Sequence, residues 1–177
     1  MSIERPVAPD PYDYLPPRPW FELTSTDLVD GQEIAMAHVH GSAGGQDVSP
    51  HLAWSGAPAD TRGYAVTCLD PDAPTGCGYW HWSLTDLPAS VTELARGAGA
   101  ADATLPGGFH ASTDFASAKY SGAAPPEGDH PHRYMFVVHA MDVPALGVDP
   151  GASPVAVAFT LAFHTLARAR ITVTFAH

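Results

Sequence analysis

The order of apolar and polar positions along the chain is typical of a β-rich domain. Three runs are predicted as strands: GYAVTCL (63–69), YWHWSLTDL (79–87) and RYMFVVHAMDV (133–143). The first run is almost continuously apolar, which predicts burial on both faces. In the third run, alternation places Tyr134, Phe136 and Val138 on one face and Met135, Val137 and His139 on the other. FEL (21–23) and EIAMAHV (33–39) flank a turn signal at Asp30-Gly31 and are predicted as further strands.

One helix is predicted, over residues 154–169. Ser153 is a good N-cap and is followed by proline at the first helical position. Apolar side chains then recur at helical spacing, at Val155, Phe159, Ala162, Phe163 and Leu166. Arg168 and Arg170 are expected at the carboxyl end, where the helix dipole favours cations. ITVTF (171–175) is predicted as a last strand or an extended tail.

The predicted elements divide the chain into an N-terminal arm and one folded domain. Residues 1–19 contain six prolines and no amphipathic period, which predicts an N-terminal arm, extended where it is ordered. Residues 20–177 are expected to form one domain with long loops, above all over 89–126. The strands are not separated by helical segments, so a parallel α/β fold is disfavoured. We therefore expect a mainly β, sandwich-like fold of two packed antiparallel sheets with a C-terminal helix.

Composition narrows the function classes. The 177 residues include 16 glycines and 18 prolines, too many for a helical bundle, and 45% apolar residues, enough for a core. Eight basic against 19 acidic residues give a net charge of −11, which disfavours nucleic acids and anionic membrane surfaces as partners. Cys68 and Cys77 are expected to be free thiols. No secretion signal and no apolar stretch of membrane-spanning length is present, so a cytoplasmic location and no integral membrane insertion are predicted.

Polar side chains concentrate at two predicted strand ends. Asp70 and Asp72 follow the buried strand, with His81 a few residues later, and the loop GAAPPEGDHP (122–131) leads into His132. Prolines pre-set such loops, and rigid loops at strand ends are where binding sites tend to be built.

The sequence resembles the phosphatidylethanolamine-binding proteins, also called Raf-kinase-inhibitor-like proteins, and in particular their bacterial branch. The resemblance lies in PADTRGYAVTCLD (58–70), DPDAPTGCGYWHW (70–82) and YSGAAPPEGDHPHRYMF (120–136). It implies a large antiparallel sheet packed on a smaller one, with a C-terminal helix beside a small cavity. That cavity would accept an anion such as phosphate, phosphorylethanolamine, acetate or sulfate. Motif matching implies that its wall is formed by Asp70, His81, Gly122, Pro125, His132 and Tyr134.

Two departures from the family pattern are expected to alter the pocket mouth. Gly122-Ala123 stands where the family usually has Gly-Pro, and Thr113-Asp114-Phe115 stands where bacterial members commonly have Asn-Asp-Phe. The first change removes a restraint on φ, and the second removes a side-chain amide.

A carboxylate beside imidazoles suits an anion site, because it favours the protonated ring and fixes its orientation. We hypothesise that Asp70 orients His132, that His81 and His132 donate to one oxyanion, and that Tyr134 supplies a hydroxyl or a wall. Affinity should then fall as the pH rises through the histidine pKa. For Asp72 the alternative is a structural ion pair with Arg133.

Other functions stay open. Asp70, His81 and His132 could act as acid and base in an enzyme, and inhibition of a protease or kinase is a further alternative. No Gly-x-Ser-x-Gly motif supports a serine hydrolase. His130 and His132 form an H-x-H with Asp129, but the spacing is not specific, and neither a metal nor a cofactor is expected. A protein partner and a homodimer are further expectations.

Overall fold

The computed structural model describes residues 4–177, and its regular elements are mainly strands. In chain order the strands are β1 (Glu22–Thr24), β2 (Leu52–Ser55), β3 (Gly63–Asp70), β4 (Tyr79–Pro88), β5 (Glu93–Leu94), β6 (Phe109–His110), β7 (His132–Met141) and β8 (Thr165–Phe175). The α-helix α1 spans Pro154–His164. Short 3-10 turns lie at Pro11–Tyr14, Met36–His38, Gly41–Ala43, Ala98–Ala100 and Asp102–Thr104.

The strands form two antiparallel sheets. The larger sheet has the order β6-β4-β3-β7-β8, and the smaller sheet has the order β1-β2-β5. Alternate residues of β7, from Tyr134 to Ala140, share a core with Leu52, Trp54 and Leu94 of the smaller sheet. On the opposite face, Ala65 and Met141 pack with helix α1. The predicted sandwich-like fold and the two faces of β7 are therefore confirmed.

The C-terminal prediction was wrong in one respect. The helix predicted over 154–169 ends at His164, and the chain continues directly as β8. β8 pairs with β7 from Thr165 to Phe175, so backbone hydrogen bonds to a central strand replace the helical ones. Arg168 and Arg170 consequently lie on a strand and not at a helix end.

The apolar stripe chosen for the helix is also not its buried face. Val155, Phe159 and Phe163 are between 59% and 68% exposed, whereas Val157 and Leu161 are buried. The helix is apolar on several faces, so spacing alone selects no inner side.

The strand predicted over 33–39 is absent. Only two isolated bridges form there, from Glu33 to Thr174 and from Val39 to Ala123, and Met36–His38 is a 3-10 turn. Thr174 belongs to β8, whereas Ala123 lies in the loop before β7. The 33–39 segment therefore runs from one of these to the other and pairs with neither as a strand.

The described part of the N-terminal arm lies against the larger sheet. The Asp10 carboxylate accepts a hydrogen bond from Arg170 at 2.6 Å, and the Ala8 carbonyl accepts one from Arg133 at 2.5 Å. Burial raises the pKa of Tyr12 to about 12.

Among the helices of residues 4–177, none combines the length and apolarity needed to cross a membrane.

Candidate functional site

The antiparallel pairing of β3 with β4 and β7 brings the predicted site residues to one end of the larger sheet. Asp70 is the last residue of β3, His81 lies near the start of β4, and His132 is the first residue of β7. All three side chains are at most 3% exposed. The two separated motifs therefore meet in the fold.

Asp70 and His132 are in direct contact. The Nδ1 of His132 donates to Oδ2 of Asp70 at 2.7 Å, and Oδ1 of Asp70 accepts from the backbone N–H of Asp72 at 2.8 Å. Both carboxylate oxygens are thus used, and the imidazole is held in one orientation.

The other nitrogen of His132 faces a second carboxylate. Nε2 lies 2.9 Å from Oδ2 of Asp129, which also accepts from Nη1 of Arg5 at 2.6 Å. Nη2 of Arg5 lies 3.2 Å from the same imidazole nitrogen and donates to the Asp72 carbonyl. Burial lowers the pKa of His132, but the hydrogen bonds to Asp70 and Asp129 outweigh it and raise the pKa. Burial likewise raises the pKa of Asp129, yet the hydrogen bonds from His132 and Arg5 bring it down to about 2. The two carboxylates therefore favour the protonated form of His132.

His81 is positioned by a β-bulge. Between β3 and β4 the register steps from Cys68↔Trp82 to Leu69↔Trp80, so His81 is an extra residue. A bulge of this kind re-aims a side chain. As a result both His81 and Trp82 contact the side of the sheet that faces the smaller sheet, at Tyr134 and at Tyr120.

The contacts of His81 determine which of its ring nitrogens carries hydrogen. Its Nδ1 lies 2.9 Å from the Gly122 carbonyl and 3.1 Å from the Ser121 carbonyl, and because carbonyls only accept, Nδ1 carries the hydrogen. Burial lowers the pKa of His81 more than the nearby Asp70 charge raises it. The neutral ring therefore presents an Nε2 with a lone pair.

Tyr134 and the 120–125 loop complete the site. The Tyr134 hydroxyl oxygen accepts from the Ala124 N–H at 3.2 Å, and its ring lies edge-on to His81 at 5.1 Å. Burial and, after it, the nearby Asp70 carboxylate raise the pKa of Tyr134, so the hydroxyl keeps its hydrogen. Gly122 is needed for a close approach, since a Cβ there would lie 2.3 Å from the Val39 carbonyl carbon. Pro125 is buried in the same loop.

Asp72 belongs to an ion pair, as the structural alternative predicted. Its Oδ2 accepts from Nε of Arg133 at 2.8 Å and from the Arg133 backbone N–H at 2.9 Å. Its Oδ1 accepts from Nη2 of Arg133 at 2.8 Å. These contacts hold the loop after β3 to the start of β7.

The N-terminal arm contacts the outer edge of the site through Arg5. A cavity of about 370 Å³ lies between the arm and the 71–78 loop, lined among others by Arg5, Asp72 and Cys77. Arg5 and Asp129 cover Nε2 of His132, so a ligand reaches that nitrogen only by displacing one of them.

Three residues at the site were not predicted as pocket residues. The Phe115 ring packs against His81 at 5.3 Å and against Tyr79 at 5.0 Å. Asp129 was noticed only for its position in the H-x-H segment, and Arg5 lies in an arm without a periodic pattern. For Phe115 the available signal was the Thr-Asp-Phe departure, in which Asp114 anchors the loop by accepting from the Trp80 N–H at 2.8 Å.

Comparisons with known proteins place this chain in a family. The model of the family described as phosphatidylethanolamine-binding protein matches residues 24–176. The chain is 47% identical over 157 residues to the UPF0098 protein YbhB of Escherichia coli, covering 87% of this chain and 99% of that protein.

Solved structures agree with the sequence comparison. The crystal structure of E. coli YbcL, described as a new member of the mammalian PEBP family, is similar with a TM-score of 0.85 and 39% identity, covering 89% of this chain and 98% of that one. A putative phosphatidylethanolamine-binding protein homologue, CT736 of Chlamydia trachomatis, is similar with a TM-score of 0.75 and 25% identity, at the same two coverages. With the fold, the motifs and these relatives in agreement, the chain belongs to the phosphatidylethanolamine-binding protein family.

Proposed function

We propose that this protein binds a small anion, such as phosphate or a phosphorylated head group, at the end of the larger sheet. The binding residues are Asp70, His81, Gly122, Pro125, His132 and Tyr134. The observation that carries the proposal is the pair formed by His81 and Tyr134. The His81 ring is fixed through Nδ1, and Tyr134 keeps a hydroxyl hydrogen that the Ala124 N–H does not use.

The positive charge for the anion comes from a proton taken up by His81. In the neutral ring Nε2 only accepts, so it can donate to an oxyanion only after it is protonated. Asp70 favours that protonated form, whereas burial and the nearby His40 oppose it. Three aromatic rings also lie against His81, those of Tyr79, Phe115 and Tyr134. A bound anion adds the missing opposite charge and raises the pKa of His81.

His132 can join the same ligand if the anion takes the place of a carboxylate. The Asp129 carboxylate now occupies the acceptor position at Nε2 of His132. An oxyanion in that position would accept the same hydrogen bond and would also meet the Arg5 guanidinium.

Calorimetry with sulfate tests the proposal, because sulfate does not titrate between pH 6 and pH 8. Titrations are made at both pH values with EDTA present. The affinity should be at least tenfold higher at pH 6, since binding coupled to one proton changes by up to tenfold per pH unit. His81→Asn should abolish the pH dependence, whereas His164→Gln, at a partly exposed histidine paired with Asp142, should behave like wild type. Wild-type binding that does not change with pH would contradict the proposal, as would the absence of saturable binding by sulfate, phosphate and phosphorylethanolamine.

The same samples separate a binding protein from an enzyme. Phosphorylethanolamine is compared with ethanolamine, and the phosphorus signal is followed by ³¹P NMR during a long incubation. Unchanged substrate with tighter binding of the phosphorylated compound supports a head-group binder. A product that forms with wild type and not with His81→Asn would favour the acid–base enzyme instead.

We infer a cytoplasmic protein that acts on a protein partner or as a homodimer. Light scattering behind a size-exclusion column measures the homodimer directly.

A further inference from the structure

A second set of ligand-type atoms lies at the outer edge of the site. Asp129, His130 and His132 each offer one such atom, and these three atoms lie within 4.8 Å of one another. Around a tetrahedral ion with bonds of about 2.0 Å, ligand atoms are about 3.3 Å apart. The 2.9 Å between Oδ2 of Asp129 and Nε2 of His132 is already near that value. The separations from the His130 atom are at most 4.8 Å, so the three side chains must draw closer together to hold an ion.

The two histidines are oriented as metal ligands usually are. His132 donates its Nδ1 hydrogen to Asp70 at 2.7 Å, and His130 donates its Nδ1 hydrogen to the Pro131 carbonyl at 3.0 Å. Metal-binding histidines almost always donate their other ring nitrogen to a carboxylate or a backbone carbonyl. In both rings this leaves Nε2 for the ion, which at His132 would take the place of the proton directed at Asp129.

The Nε2 of His130 has no use in the structure as it stands. The atom is buried and has no hydrogen-bond partner among residues 4–177. A buried polar atom that is left unsatisfied costs about 1 to 3 kcal/mol. A metal ion would accept its lone pair and remove that cost.

The Arg5 guanidinium already lies beside two of these ligand atoms. Arg5 places its guanidinium 2.6 Å from Asp129 and 3.2 Å from Nε2 of His132. The Asp129 carboxylate and the Asp72 carbonyl accept from Arg5, and the Asp70 carboxylate holds the other side of His132. These oxygens favour a positive charge at this position.

We propose that Asp129, His130 and His132 bind a divalent transition-metal ion of the Zn²⁺ class in place of the Arg5 guanidinium. Imidazole and carboxylate ligands suit zinc, cobalt or nickel, whereas calcium and magnesium prefer oxygen ligands throughout. Asp70 acts as an outer partner that orients His132. The H-x-H spacing in the sequence does not specify this site; the fold adds the third ligand and the two outer hydrogen bonds.

The test is a titration of the full, tag-free chain with ZnCl₂ in a buffer without phosphate, followed by absorption spectra with Co²⁺. One ion per chain is expected. His130→Ala should weaken binding at least tenfold, and Asp70→Asn should weaken it by about 10- to 100-fold, as outer-partner changes do. Arg5→Ala should strengthen binding, because a competing cation is removed. His164→Gln, which keeps nine of the ten histidines, should bind like wild type.

Two results would show that no metal site exists here. Zinc binding with wild-type affinity in His130→Ala, or no saturable binding up to 1 mM ZnCl₂, would overturn the site. Circular dichroism of each variant shows whether it is folded, and His130 is only half-buried, so its replacement should be tolerated. The result is independent of the anion proposal, since His81→Asn must leave zinc affinity unchanged.

Discussion

Replacing Asp72 by asparagine is expected to destabilise this protein by about 2 to 4 kcal/mol. The carboxylate of Asp72 is fully buried and accepts four hydrogen bonds, three from Arg133 and one at 3.3 Å from the Ala8 N–H. An amide can keep the contacts of one oxygen only. Its N–H₂ group would then face Nη2 of Arg133, donor against donor.

The magnitude follows from the two contacts that are lost. Hydrogen bonds to charged groups contribute about 1.5 to 3 kcal/mol each. The Arg133 side chain is 24% exposed and its Nη2 also bonds the Ala8 carbonyl, so part of its charge stays solvated. The expected loss of unfolding free energy is therefore smaller than the sum of two full contacts. We expect about 3 kcal/mol. For a chain of this length that lowers Tm by about 6 to 12 °C.

Urea unfolding at pH 7, pH 5 and pH 3.5 measures the effect and its sign. Burial raises the pKa of Asp72, but the Arg133 contacts outweigh it and lower the pKa below its ordinary value. The stabilisation is therefore complete above the unfolded pKa of about 4 and is lost as the pH falls through the folded pKa. The difference between wild type and Asp72→Asn should be equal at pH 7 and pH 5 and smaller at pH 3.5.

Asp60→Asn is the matched control, because Asp60 is exposed. A loss below 0.5 kcal/mol for Asp72→Asn, close to the usual effect of a surface change, would refute the reasoning. So would a difference that grows below pH 4, because a carboxylate with a lowered pKa cannot contribute more when it is protonated.

Three further predictions concern the loop at Gly122, His139 of β7 and the two thiols. Gly122→Ala should cost more than about 2 kcal/mol in urea unfolding and weaken sulfate binding, because its Cβ would meet backbone at 2.3 Å, whereas Gly151→Ala has open space and should be neutral. Burial, with a smaller contribution from a nearby arginine, lowers the pKa of His139 to about 3. The unfolded chain therefore binds the proton first, and acidification from pH 6.5 to pH 5.0 should cost wild type about 2 kcal/mol that His139→Gln does not lose. Cys77 is exposed and Cys68 is buried with a raised pKa, so DTNB should titrate one thiol in the native protein and two in urea.

The central strands could be predicted from the sequence because their burial is local information. β3 is covered on both faces, so its whole run is apolar, and the predicted 63–69 differs from Gly63–Asp70 by one residue. The prediction for β7 was within two residues at each end. For a strand in the centre of a sheet, the run of apolar residues alone is therefore sufficient to predict the strand.

The C-terminal segment could not be predicted in the same way. From Pro154 to Leu166 the apolar residues satisfy a helical period and, from Thr165 on, an alternating one as well. The chain changes from helix to strand where β7 offers an unpaired edge, and that edge is formed by residues distant in sequence. Tertiary pairing thus overrides local propensity here.

The candidate site was predicted only as far as its strand ends. Asp70 and His132 were placed together by the resemblance to the family, and both lie at the ends of central strands. The Nε2 of His132 is also contacted by Arg5, which is 127 residues away and lies in a segment with no apolar period. No local pattern can indicate a contact of that kind.

The charges of the site explain why its ligands must bring or exchange charge. Each buried carboxylate has a cationic partner: Asp70 has His132, Asp72 has Arg133, and Asp129 has both His132 and Arg5. The cluster is therefore close to neutral, and no positive charge is left over for an anion. An anion must then be bound with a proton taken up at His81, or must replace a carboxylate, and a metal ion must replace a cation. Both kinds of binding should consequently depend on pH or on the Arg5 side chain, and a ligand that binds with neither dependence would have to bind outside this cluster.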